Sequence, residues 1–103
     1  MYRPLPNELT IKHSDIEGLG LFAKSFIPAH TLLGITHIVD SEFENGHIRT
    51  PLGGFYNHSS DPNCETFEGL HGERWVRYLV TTKDIKVGQE LTCSYTLYAI
   101  HKD

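Results

Sequence analysis

With 103 residues, a formal charge of −4 and nine scattered lysines and arginines, the chain is sized for one domain, residues 1–103, and lacks the basic stripe of a nucleic-acid binder. Hydrophobic residues at 39% and charged ones at 21% place it with folded proteins and outside the disordered class. A domain this small buries only about 60–65% of its extended-chain surface, so pairing into a homodimer is expected.

Residues 9–12 alternate apolar and polar and predict a first strand, and residues 20–23 a second. A run rich in β-branched side chains predicts a third over 31–39. A loop is expected over 40–52, with a single helical turn at 41–44 that Ser41 would cap. Its acidic residues Asp40, Glu42 and Glu44 suit either a solvated loop or a lysine-rich partner. A second loop is expected over 68–73, then strands over 74–82 and 90–95. No sequence repeats are visible, and the pattern is that of a mostly β domain with several small sheets and little helix.

Cys64 and Cys93 have neither C-x-x-C spacing nor the number for a disulfide framework, which fits a reducing compartment. There is no apolar run of signal-peptide or membrane-spanning type, so an intracellular, cytoplasmic protein without membrane contact is expected.

Three motifs carry chemical information. Gly18-Leu19-Gly20-Leu21-Phe22 opens a strand but lacks the third glycine of a dinucleotide fingerprint. Asn57-His58-Ser59-Ser60-Asp61-Pro62-Asn63-Cys64 delivers polar groups from the apolar stretch Gly53-Gly54-Phe55-Tyr56 into a turn containing Pro62. His58, Ser59 and Asp61 have the residue types of a hydrolase, yet neighbours this close do not converge as nucleophile, base and orienter. A metal set of His47, His58, His71 and Cys64 matches no common zinc spacing, so none is expected. The third motif, Gly88-Gln89-Glu90-Leu91-Thr92-Cys93-Ser94-Tyr95, is a turn, a strand and a tyrosine.

Together these motifs resemble the SET domain family of protein lysine methyltransferases, over roughly residues 9–98. The pieces that match are the G-x-G, the N-H-S-x-x-P-N segment, the approach Asp84-Ile85-Lys86-Val87-Gly88-Gln89-Glu90 to the tyrosine, and Gly20-Leu21-Phe22-Ala23 with the later Ile27-Pro28. The resemblance implies a β-clip fold of several small sheets, with a pseudoknot-like crossing of the chain near Asn57 and His58 with that near Tyr95. It also implies methyl transfer from S-adenosyl-L-methionine to a lysine amine of a protein substrate, a histone or other basic protein. Tyr95 would be the catalytic tyrosine. Gly18, Leu19, Gly20, Asn57, His58 and Tyr98 would bind the cofactor, with Trp75 and Phe67 as alternatives to Tyr98 over the adenine. Tyr56, Cys93 and Thr36 would line the lysine channel.

The chemistry explains these residue types. In-line displacement needs a neutral amine, and a free lysine is neutral in only about one molecule in 2,500 at pH 7, a cost of about 4.6 kcal/mol. A narrow apolar channel and a cationic sulfur both disfavour the ammonium, so no nearby carboxylate base is required. Where family members carry Tyr-x-Gly, this chain reads Ile35-Thr36-His37-Ile38, and Cys93 stands where multiply methylating members often have Phe. With no cysteine-rich segment before Asp103, the chain looks like the compact stand-alone members of viruses and bacteria; a viral origin would allow the host nucleus as its location. Loss of the channel tyrosine leaves a catalytically silent cofactor- or peptide-binding module as the alternative, and a small β-rich interaction domain without cofactor as a third reading.

Overall fold

The computed structural model describes residues 5–39 and 47–94, with His47 described by its backbone alone. In chain order the elements are β1 (Leu9–His13), β2 (Leu19–Ala23), β3 (Leu32–Val39), β4 (His47–Arg49), α1 (Pro51–Phe55), β5 (Asn57–His58), β6 (Cys64–His71), β7 (Arg74–Thr81) and β8 (Glu90–Cys93). They form two four-stranded sheets with orders β1-β2-β8-β5 and β4-β3-β7-β6. The mostly β reading holds, with one five-residue helix among the described residues.

The five expected strands are present with small boundary shifts, whereas the two expected loops are partly structured. The 40–52 loop contains β4, which pairs with β3, and the start of α1. The helical turn expected at 41–44 and the acidic residues Asp40, Glu42 and Glu44 lie outside the described residues. The 68–73 loop is in fact the end of β6 and a tight turn, since β6 pairs with β7 from Cys64↔Thr81 to His71↔Arg74. Gly72, with φ +64, occupies the first central position of that hairpin turn, the glycine slot of a type II′ geometry. β6 escaped the pattern reading because it is an edge strand whose sequence CETFEGLH has no clean apolar face.

Alternation places Leu21 and Ala23 of β2 on the core side, where they meet Leu9, Leu91 and Cys93 of their own sheet and Leu33, Cys64 and Leu79 of the other. Leu21, Leu79, Ile85 and Leu91 are all at 0% exposure, each burial stabilising the fold by about 1.5–3 kcal/mol. Both sheets share one core.

The two connections that lead into β3 and β8 are near copies of each other in hydrogen bonding. Ile27 and Ile85 exchange reciprocal backbone bonds of 2.9 and 2.8 Å across an antiparallel bridge. His30 N donates to Thr81 O at 2.7 Å, and Gly88 N donates to Ala23 O at 2.8 Å. Thr81 N reaches Thr31 O at 3.0 Å, as Ala23 N reaches Gln89 O at 3.0 Å. A pseudo-twofold axis therefore passes between Ile27 and Ile85, although no repeat is legible in the sequence. His30, at φ +67, is the one described non-glycine residue with positive φ, and its counterpart Gly88 has φ +86.

The shared turn demands a left-handed residue that only glycine adopts freely. Gly88→Val is therefore expected to lower the urea midpoint by an amount equal to about 1–2 kcal/mol. His30→Gly should be neutral or stabilising by up to about 1 kcal/mol, because relief of strain offsets the added freedom of the unfolded chain. Equal losses at both positions would show that the turns are not equivalent.

Candidate functional site

The site is assembled where β8 runs between β2 and β5. Its first wall is the β1–β2 turn. Ser14 Oγ accepts from Ile16 N at 2.9 Å and Glu17 N at 3.4 Å, and Ser14 N donates to Gly18 O at 2.8 Å. The two glycines of the G-x-G serve different needs. Gly18 closes the turn at φ +47, with open space where a Cβ would stand. At Gly20 a Cβ would lie 2.2 Å from Glu90 Oε2 and 3.2 Å from Asn57 Nδ2, so any side chain displaces those groups. Leu19 between them is 44% exposed.

The second wall is delivered by α1. Thr50 caps the helix by accepting from Gly53 N at 3.3 Å, and Pro51 follows in the first turn, where its missing N–H costs nothing. Thr50 Oγ1 also donates to Ile35 O at 2.6 Å, which pins the helix start to β3. Gly53 lies against the Thr36 backbone so closely that a Cβ would come within 2.2 Å of Thr36 O. The helix ends at Tyr56 with φ −72 and ψ 144, extended geometry that leads directly into β5. Sequence patterning missed α1 because five residues present no helical periodicity, although Thr50-Pro51 is a capping signal.

β5 pairs in parallel with β8, Asn57 beside Thr92 and His58 beside Cys93, and Ser59 N continues the ladder to Cys93 O at 2.9 Å. This pairing sets the chain around Asn57 and His58 beside the strand that precedes Tyr95, while the crossing expected near Tyr95 falls on residues outside the described ones. Tyr95 and Tyr98 themselves lie outside the described residues. The Asn57 side chain faces the first wall, donating from Nδ2 to Glu90 Oε2 at 2.8 Å, Glu17 O at 3.2 Å and Leu19 O at 3.3 Å. The His58 ring meets the Tyr56 ring edge-on, centroids 5.7 Å apart. Burial holds the His58 pKa below its ordinary 6.5, favouring the neutral imidazole.

Asn63 is the residue sequence reasoning left without a role. Its Nδ2 donates to Glu90 O at 2.8 Å and its Oδ1 accepts from Thr92 N at 2.8 Å, so the side-chain amide pairs with β8 as a strand would. Glu90 was read only as part of a strand, yet its carboxylate accepts from both Asn57 and Ser14. No local signal marks these partnerships, since Ser14 and Glu90 are 76 residues apart.

The other expected positions are placed as follows. Tyr56 and Cys93 are buried beside His58, at 9% and 4% exposure. Thr36 is fully enclosed at 0%, its hydroxyl engaged with Arg77 O and with His37 Nδ1. Phe67 and Trp75 belong to the other sheet, on β6 and β7; Phe67 stacks on Tyr78 and Trp75 is 52% exposed. Burial raises both thiols, Cys64 to about 12 and Cys93 strongly as well, which makes them poor nucleophiles and metal ligands. Among the described residues no group of three metal-ligating side chains could hold an ion. The hydrolase trio does not form either, because Asp61 turns outward to Lys83 at 2.7 Å and Ser59 Oγ accepts from Asp61 N.

Two outcomes are expected from this geometry. Asn63→Leu leaves the Glu90 carbonyl and the buried Thr92 N–H without their partner and should cost about 2–4 kcal/mol in urea unfolding; a loss below about 1 kcal/mol would mean that water replaces the amide. For His58, a folded pKa lowered from 6.5 means that its contribution to stability is complete above pH 6.5. It is lost as pH falls below that value, where the unfolded chain takes up a proton the folded protein does not. The drop in urea midpoint between about pH 7 and pH 5 should therefore be smaller in His58→Gln than in the parent, and an equal drop would assign the neutral ring to the wrong histidine.

Comparison with known proteins agrees with the geometry. The family model described as the SET domain matches residues 36–96, more than half of the chain. A Cryptococcus neoformans histone-lysine N-methyltransferase, H3 lysine-36 specific, is 28% identical over 82% of this chain, which spans 13% of that protein. A Caenorhabditis briggsae protein named a probable histone-lysine N-methyltransferase is 36% identical over 59% of this chain, which spans 26% of it. The chain thus covers a small part of the length of these relatives. Among solved structures, a Plasmodium falciparum protein assigned as a histone methyltransferase superposes with a TM-score of 0.73 at 21% identity, over 88% of this chain and 95% of that one. The Polycomb Repressive Complex 2 of Chaetomium thermophilum, in an autoinhibited conformation bound to S-adenosylmethionine, gives 0.67 at 19% identity, over 91% of this chain and 16% of that one. With the family model matched over more than half of its length, the chain belongs to the SET domain family.

Proposed function

We propose that this chain is a protein-lysine methyltransferase domain that uses S-adenosylmethionine. The observation that carries the proposal is the parallel pairing of β5 with β8, which sets Asn57 and His58 beside the strand running toward Tyr95. The names of the sequence relatives support a histone as substrate, and the net charge of −4 favours a basic partner in general.

The residues present fit the cofactor. Asn57 uses its Nδ2 on three acceptors, and its Oδ1 has no partner among the described residues, leaving an acceptor for an ammonium group. The space at Gly18 permits close approach of another molecule to the backbone. When bound, S-adenosylmethionine supplies a methyl group activated on a sulfonium. Gly18, Leu19 and Gly20 would line its amino-acid end, with Asn57 accepting from the amino group. His58, neutral through burial, would adjoin the adenine without adding charge beside a cationic ligand, and Tyr98 would cover the ring.

The Tyr95 hydroxyl would orient the incoming lysine amine. Tyr56 and Cys93 would form an apolar wall that disfavours the ammonium form of that lysine. Thr36 would support the wall from beneath, since its carbonyl carries Gly53 of α1.

The test is calorimetric titration with S-adenosylmethionine and S-adenosylhomocysteine, followed by transfer of labelled methyl groups to histones. Tyr95→Phe should lower turnover by about 10²-fold or more while leaving cofactor affinity within about threefold. Binding without transfer to any protein lysine would favour a silent module. Absence of binding, or a Tyr95→Phe variant as fast as the parent, would overturn the assignment.

A further inference from the structure

The polar cluster behind the proposed cofactor site is centred on a residue that the reaction itself does not use. Glu90 sits opposite Phe22 in the β2–β8 ladder, with its carboxylate against the Gly20 backbone, in space that exists because Gly20 has no side chain. Ser14 Oγ shares its proton between Glu90 Oε1 at 2.8 Å and Oε2 at 2.9 Å, and Asn57 Nδ2 donates to Oε2 at 2.8 Å. The same Ser14 oxygen accepts the amides of Ile16 and Glu17, so the carboxylate also anchors the turn that carries Glu17 O and the start of β2.

An ionised carboxylate only accepts hydrogen bonds, so whatever faces it must be a donor. This settles the orientation of the Asn57 amide, with nitrogen toward Glu90 and oxygen directed away from it. The two remaining acceptors of Asn57, Glu17 O and Leu19 O, are longer, at 3.2 and 3.3 Å, and belong to the segment that Glu90 holds through Ser14. Loss of Glu90 would remove the shortest of the three bonds and loosen the support of the other two.

We infer that Glu90 is a positioning residue, which fixes Asn57 so that its side-chain oxygen is presented to the amino group of the cofactor. This inference rests on the function proposed above. Glu90 touches neither reactant and acts through Asn57, with Ser14 as its brace. Its influence is accordingly confined to the amino end of the ligand. Glu90→Gln can set its oxygen in the Oε2 position, where it still accepts from Asn57 Nδ2 and from Ser14 Oγ, preserving those bonds without the charge.

The experiment compares two ligands, S-adenosylhomocysteine and the same thioether lacking its α-amino group, by titration calorimetry on the parent, Glu90→Ala and Glu90→Gln. Glu90→Ala should weaken S-adenosylhomocysteine by about tenfold or more and the deaminated ligand by less than about twofold, with Glu90→Gln within about threefold of the parent for both. In the unliganded protein the Asn57 side-chain amide protons should be resolved and slow to exchange in the parent and in Glu90→Gln, and averaged in Glu90→Ala. If Glu90→Ala does not fold, Ser14→Ala carries the same comparison, with a smaller but equally selective loss. Equal weakening of both ligands would make Glu90 a general structural support, and unchanged affinity for S-adenosylhomocysteine would also overturn the inference. A Glu90→Gln variant as weak as Glu90→Ala would show that the charge acts directly rather than through position. Failure of the parent to bind S-adenosylhomocysteine at all would instead overturn the proposed function on which the inference rests.

Discussion

β8 has strand partners on both sides that come from distant parts of the chain, and a side-chain amide completes its pairing. β2 covers one edge, the two residues of β5 cover part of the other, and Asn63 supplies through Nδ2 and Oδ1 the donor and acceptor that a longer β5 would have provided. Because buried backbone groups must be paired, this amide is what allows β5 to begin only at Asn57, directly after α1. The site depends on that late entry. A ladder begun earlier would take up Phe55 and Tyr56 as ordinary strand, whereas the late start lets α1 run to Phe55 and set Tyr56 beside His58, with Asn57 and His58 opposite Thr92 and Cys93.

The reciprocal bridge between Ile27 and Ile85 gives the same economy at the scale of the whole domain. Each connection folds over the other, so two short segments without regular structure satisfy one another's backbone and bury two isoleucines at 1% and 0% exposure. A chain of 103 residues has little interior to spare, and mutual support of this kind replaces a third layer. The bridge also orders the elements around it, since β2 precedes one connection and β8 follows the other, and these strands pair at Leu21↔Leu91.

What the sequence made legible divides along physical lines. Strands with β-branched or alternating patterns, such as β3 and β7, announce themselves because each half-buried strand repeats its burial every second residue. β6 does not, being an edge strand with polar residues on both faces, and α1 and β5 are too short to have a period at all. The pseudo-twofold was equally hidden. What the two connections share is the backbone hydrogen bonding and one left-handed residue, met by glycine at position 88 and by histidine at position 30. At the candidate site the motif residues were legible by type, and the family resemblance marked Asn57 and both glycines. Which glycine needs its conformation and which needs its missing Cβ is a question of φ and of the Glu90 carboxylate, and neither is visible in a string of letters.

The same distinction applies to the two asparagines of the central motif. Asn57 and Asn63 are chemically identical and lie six positions apart, yet Asn63 uses both ends of its amide on β8, while Asn57, among the described residues, uses only its nitrogen. An amide with both ends engaged contributes to folding, and one with a single engaged end keeps an acceptor for a ligand. Both converge on Glu90, one on its carboxylate and the other on its backbone carbonyl. Fold and site therefore meet at one residue, and substitutions in this network cannot be expected to act additively, since each member sets the geometry its neighbours require. In a domain with so small a core, the polar groups that orient the site are also those that hold β8 in place, which ties the geometry of the site to the stability of the sheet.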